Sequence, residues 1–145
     1  MKTYINGQPM LAYADPTGSI TPTLDMTLGK TLFIIPYHFI GLMDEVRIWN
    51  TDLDDTYIAN NYNKIISDPA SMANLIGYYN FDEALNNQNI FDTSNMLNNG
   101  VLGDSLSANS YDPTRIASTA PLVPEPASIC FLLLGGYAIR LGNRK

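Results

Sequence analysis

The spacing of apolar and polar positions along this 145-residue chain changes several times, and each change marks an element. Residues 2–6 predict a strand, with Tyr4 and Ile5 supplying β propensity. Asn6-Gly7 follows, a pair that tolerates positive φ at both positions and so predicts a two-residue hairpin turn. Residues 8–13 return as the second strand. Asp15-Pro16-Thr17-Gly18 and Thr21-Pro22-Thr23 read as loop. Residues 24–28 and 31–35 are strand candidates on either side of Gly29, a bulge or turn position. After Pro36, residues 39–50 predict one long strand. Its alternation sets Ile40, Leu42, Asp44, Val46 and Ile48 on one face and Gly41, Met43, Glu45, Arg47 and Trp49 on the other.

The period then shifts towards a helix. Thr51 or Asp52 can cap it, Asp54 and Asp55 suit its positive end, and Leu53, Tyr57, Ile58, Tyr62, Ile65 and Ile66 form its apolar stripe. Ser67-Asp68-Pro69 ends it. Residues 75–81 are the next strand. An Asn-rich stretch with turn chemistry leads to Val101-Leu102, a short closing strand. Residues 105–120 are rich in Ser, Thr, Ala and Asn and predict a flexible linker. Short strands, one small helix and many turn signals indicate an all-β sandwich.

The last segment has its own pattern. Pro124-Glu125-Pro126 precedes an uncharged apolar run that includes Ala127, Ile129, Cys130, Phe131, Leu132, Leu133, Leu134 and Ile139. Arg140, Arg144 and Lys145 close the chain. The prolines lack amide donors and hold the chain extended, so a helix detached from the sandwich is expected from about Ala127. Sixteen residues, 127–142, would span about 24 Å as a helix, short of a hydrocarbon core of about 30 Å. Such a length suits a transient membrane stop better than a lasting anchor. The basic residues would sit on the cytoplasmic side.

This ordered set resembles the PEP-CTERM sorting signal of Gram-negative bacterial surface proteins. The resemblance implies that an exosortase recognises Pro124-Glu125-Pro126 and removes the tail. It also implies an exported product at the cell surface or in the extracellular matrix, held transiently in the inner membrane by the C-terminal helix. A plain tail anchor and a buried C-terminal element are the other readings of the same residues.

Charge sharpens the division. Residues 1–120 carry five basic and thirteen acidic side chains, while residues 121–145 carry three basic and one acidic, within a total of −6. An acidic ectodomain argues against nucleic acid or anionic membrane as partner and is compatible with metal ions and neutral polysaccharide. Cys130 is the single cysteine, so neither a disulfide framework nor a cysteine metal site is expected. Residues 1–7 lack the apolar run of a secretory signal, which leads us to expect an N-terminally truncated fragment of a longer parent.

A second resemblance covers the folded part. Gly41-Leu42-Met43-Asp44-Glu45-Val46-Arg47-Ile48-Trp49-Asn50, followed by a short helix, looks like the closing segment of a LamG-like (laminin G / concanavalin A-like lectin/glucanase) jelly roll. Tyr4-Ile5-Asn6-Gly7-Gln8 fits that family's mid-domain hairpin. Leu75-Ile76-Gly77-Tyr78-Tyr79-Asn80-Phe81-Asp82-Glu83 and Asp92-Thr93-Ser94-Asn95 with Asn98-Asn99-Gly100 look like its opening segment, although Asn95 stands where the family usually has Gly. The expected organisation is residues 1–66 as the C-terminal part of one LamG-like domain and 67–104 as the opening of a second copy or as strands completing the first. Residues 105–120 are then the linker and 121–145 the sorting signal. The expected fold class is all-β: a partial LamG-like jelly-roll sandwich with one short helix, plus a detached C-terminal hydrophobic helix.

Candidate chemistry is sparse. Asp44, Asp92, Asn95 and Asn98 offer oxygens of the class calcium prefers, but calcium needs six to eight of them. The competing reading, which we favour, makes Asp44 a hydrogen-bond acceptor or a partner of Arg47 and the Asn residues turn formers. His38, the only histidine, has no nucleophile motif beside it. The doublets Asp44-Glu45 and Asp82-Glu83 point to opposite strand faces, so neither forms a glycosidase pair by itself. Tyr78, Tyr79 and Phe81 could stack on sugar rings, or form core. The expected function is a non-catalytic adhesion or matrix module binding carbohydrate or surface protein. The alternatives are a structural spacer without ligand and an accessory module of a hydrolase.

Overall fold

A computed structural model of the chain describes residues 2–12, 25–30, 38–110 and 112–117. The elements within them are strands β1 (Lys2–Ile5), β2 (Gln8–Ala12) and β3 (Val46–Trp49), helix α1 (Asp55–Asn61), a 3-10 turn (Pro69–Ser71), and strands β4 (Leu75–Tyr79), β5 (Asn89–Ile90) and β6 (Gly100–Val101). The strands pair as three small antiparallel sheets, β1 with β2, β3 with β4 and β5 with β6. With one short helix among them, the described residues are compatible with a mainly-β fold.

The first hairpin forms as its sequence dictates. Asn6 and Gly7 take φ of +50° and +73°, and Ile5 faces Gln8 across the two-residue turn. The hairpin lies along α1. Lys2 Nζ and Tyr4 Oη both donate to Asp55 Oδ1, at 2.8 and 2.6 Å, in the first turn of the helix. At the other end Gly7 sits against Ala59 and Tyr62, where a Cβ would stand 2.5 Å from Tyr62 Cδ1.

Helix α1 begins later and ends sooner than the sequence suggests. Asp54 is the N-cap, accepting from the Tyr57 N–H at 2.7 Å, in place of Thr51 or Asp52. The helix stops at Asn61, short of the stripe that continues to Ile66, and carbonyls at and beyond its end take side-chain donors. Asn61 Nδ2 donates to Tyr57 O at 2.8 Å, and the Arg47 guanidinium reaches Asn61 O at 3.0 Å and, closer still, Lys64 O.

The long strand expected over 39–50 is the main correction. Only Val46–Trp49 pairs, and Ile40 is 96 % exposed, so the alternation read from 40 to 48 does not describe one strand face. The cause is local: Glu45 has a φ of +54° and turns the chain out of the extended path. On the partner strand Phe81, with a φ of +53°, does the same just past Tyr79. Residues 25–28 are not strand either. Gly29, at φ +76°, makes a turn whose carbonyl accepts from the Phe39 N–H at 2.7 Å, beside a single bridge between Lys30 and His38. Residues 31–35 lie outside the described set. The Asn-rich stretch, expected to be turns, contains β5.

The core gathers on β4. Leu75, Tyr78 and Tyr79 are buried, as is Leu102 next to β6. β3 covers one edge of β4, with Val46 opposite Tyr79 and Arg47 opposite Tyr78. The turn at 92–98 covers the other: Thr93 N–H donates to Tyr78 O and Asn98 Nδ2 to Ile76 O, each at 2.9 Å. Thus the segment resembling a closing strand and the segment resembling an opening strand share one ladder.

Gly7→Ala should destabilise the protein by about 1–3 kcal/mol, since the new methyl meets Tyr62 and the residue keeps positive φ. Urea unfolding of the two proteins measures it, and an unchanged midpoint would contradict this packing of hairpin on helix.

Candidate functional site

Arg47 organises the space between β3 and α1. Besides the two carbonyls at the helix end, its Nη2 lies 3.4 Å from Glu45 Oε2, and its guanidinium stands 5.7 Å from the centre of the Tyr78 ring. The Tyr78 hydroxyl donates to Glu45 Oε2 in a short contact and accepts from the Ile66 N–H at 3.3 Å. Burial, and then the Glu45 carboxylate, push the Tyr78 hydroxyl up from 10.0 to about 12. Glu45, with its left-handed backbone, thus meets Arg47 and Tyr78 together.

A cavity opens on each side of Arg47. One, of about 250 Å³, is lined by Tyr57, Lys64, Ser67, Asp68 and Met72 among others. The second, of about 200 Å³, is walled by Glu45, Trp49, Leu53, Tyr57 and Tyr62. Trp49 meets Tyr57 edge to face with ring centres 5.9 Å apart, which fixes the ring between the two cavities.

Of the candidate calcium residues, Asp92 and Asn98 meet in one turn. Asp92 is 2 % exposed. Its Oδ1 accepts the N–H groups of Tyr78 and Ser94, both at 2.9 Å, and its Oδ2 that of Asn98 at 2.8 Å. Burial alone would raise this carboxyl, but the hydrogen bonds from Tyr78, Ser94 and Asn98 outweigh it and hold it below the usual range. Its charge is met by backbone donors. Asn98 donates its amide to Ile76 O and accepts from Tyr79 Oη at its carbonyl, and Asn95 is exposed. Asp44 accepts the Glu45 N–H at 3.0 Å, and the carboxylate seen at Arg47 is that of Glu45. Among the described residues no group of three or more His, Cys, Asp or Glu is placed to hold a metal ion.

One ion pair lay outside the sequence reading. Arg115, in the stretch expected to be a linker, bonds Glu83 Oε2 at 2.7 Å with both side chains 6–7 % exposed. Its guanidinium also donates to the carbonyls of Asn87, Asn89 and Phe81, while Glu83 Oε1 takes the Phe91 N–H. A lone arginine in a Ser- and Asn-rich run is the only sequence signal for this anchor.

Both acidic doublets are thus occupied by structural contacts, with Asp82 accepting from Asn80. Tyr78 and Tyr79 are core, and Tyr79 stacks on Phe81 at 6.4 Å, so Tyr78 and Tyr79 present no open face to a sugar. The sorting-signal residues Pro124, Glu125 and Pro126, the apolar run from Ala127 to Ile139, and Arg140, Arg144 and Lys145 lie outside the described residues. Among the described residues no helix is long and apolar enough to cross a membrane. Comparison of the chain with protein-family models, curated proteins and solved structures gave no match.

Two outcomes follow from these contacts. Arg115→Ala strands the buried Glu83 carboxylate and should cost about 3–5 kcal/mol in urea unfolding at neutral pH. Stability should also fall at both pH extremes. The Asp92 contribution is complete above the usual carboxylate range and is lost as pH drops through its lowered folded value. The Tyr78 contribution is complete below pH 10.0 and is lost as pH rises through about 12. Unfolding midpoints across pH check both limbs, and an acid limb equally steep in Asp92→Asn would remove Asp92 from its cause.

Proposed function

We propose that this chain is a LamG-like β-sandwich module of a Gram-negative bacterial surface protein, delivered by a PEP-CTERM signal. It is exported, held briefly in the inner membrane by residues 127–142, and processed by an exosortase at Pro124-Glu125-Pro126. Its role is non-catalytic binding of carbohydrate or protein in adhesion or exopolysaccharide association. The observation that carries this reading is the antiparallel ladder of β3 with β4. It joins the two segments that resemble the closing and opening strands of one jelly roll, the arrangement expected if residues 67–104 supply strands to residues 1–66. The occupied acidic doublets support a binding role over hydrolysis, and the acidic ectodomain favours a neutral ligand over nucleic acid.

The test is processing. The full chain, exported behind a secretory leader in a Gram-negative host, should lose its tail only when an exosortase is present. Glu125→Ala should retain the tail, read as a mass difference at the C-terminus. Identical mass in hosts with and without the exosortase would overturn the sorting assignment.

A further inference from the structure

The chain carries Asn-Gly at two places, Asn6-Gly7 and Asn99-Gly100, and their surroundings differ. In such a pair the backbone nitrogen of the glycine can attack the side-chain carbonyl carbon of the asparagine, because no Cβ hinders the approach and both groups belong to one molecule. At the first pair both residues hold the positive φ of the hairpin turn, and Gly7 is buried against Tyr62 and Ala59. Turning the Gly7 peptide towards the Asn6 side chain would part the hairpin from α1. Asn99 and Gly100 are exposed, and a Cβ added at Gly100 would meet nothing nearer than Ile90 Cβ at 4.0 Å. Gly100 belongs to β6, which pairs with β5 over two residues, so a small local opening releases its amide.

The Asn99 side chain is also held ready. Its Oδ1 accepts the Asp92 N–H at 2.9 Å, and its Nδ2 has no partner among the described residues. Asp92 is fixed in turn by the N–H groups of Tyr78, Ser94 and Asn98. A fixed N–H on a carbonyl oxygen stabilises the oxyanion that forms when a nucleophile adds to the carbon. We propose that Asn99 is a self-modifying site, whose side-chain amide is displaced by the Gly100 nitrogen while the protein is folded. A bond forms from Gly100 N to Asn99 Cγ, the Cγ–Nδ2 bond breaks, and Nδ2 leaves as ammonia with the proton from Gly100 N. Water then opens the resulting succinimide to aspartate or isoaspartate, and nothing is oxidised or reduced. Either product disturbs the turn that covers β4. Aspartate sets a second carboxylate on the residue that carries the buried Asp92 charge, and isoaspartate adds a main-chain carbon that shifts Gly100 against Ile90.

Peptide mass spectrometry on the full chain, aged in phosphocholine micelles at mildly alkaline pH, tests this. Trypsin separates the two pairs, since Asn6 falls between Lys2 and Lys30 and Asn99 between Lys64 and Arg115. Fragmentation then locates the residue whose amide has become an acid. In the folded chain Asn99 should convert about tenfold faster than Asn6, and in guanidinium chloride the two rates should converge. Gly100→Ala should slow conversion at Asn99 by about tenfold, because the new methyl hinders attack, and should keep the wild-type unfolding midpoint, because the methyl points into open space. The aged wild-type chain should unfold at lower urea than the fresh one. Equal rates at Asn6 and Asn99 in the folded chain, or an Asn99 that stays intact, would overturn the site. Conversion of Asn99 only in guanidinium chloride would overturn the part given to the fold. An unchanged urea midpoint after complete conversion would overturn the effect on the turn beside β4.

Discussion

A single guanidinium joins most of what surrounds it. Arg47 rises from β3, closes the end of α1 through Asn61 O and Lys64 O, meets Glu45, and stands over the ring of Tyr78 on β4. Strand, helix end and neighbouring strand are thus tied at one point. Both Nη groups of this guanidinium find acceptors, while its buried Nε has none among the described residues, and carbonyl acceptors near a helix terminus suit it because that end carries partial negative charge. Both flanking cavities border Arg47.

The same economy recurs along β4. Its second edge is covered by a turn, in which Asp92 and Asn98 offer side-chain groups where a strand would offer peptide groups. Short strands with few buried apolar residues gain little from burial alone. Satisfying buried backbone donors with a carboxylate replaces part of the ladder. This explains a buried acid in a region whose composition suggests solvent-exposed turns.

What the sequence disclosed followed the range of the interaction involved. Asn6-Gly7 encodes its turn in two residues, and the hairpin is there. The helix was visible, but its ends were set by Asp54 and by Arg47, and the second acts from a distance of fourteen residues. The strand from 39 to 50 looked continuous because alternation carries no information about backbone handedness at Glu45. The Glu45 side chain there meets Tyr78, thirty-three residues away. Asp92 read as turn chemistry or a metal ligand because its donors include Tyr78, fourteen residues upstream.

Arg115 also sets a length. Together with β6 it bounds the stretch from 102 to 115. With the guanidinium locked to Glu83 and to the carbonyls of Asn87 and Asn89, that stretch is tied to the folded body at both ends. What composition presents as a free tether is, as far as Arg115, a closed loop, and the entropy of closing it is spent when the chain folds.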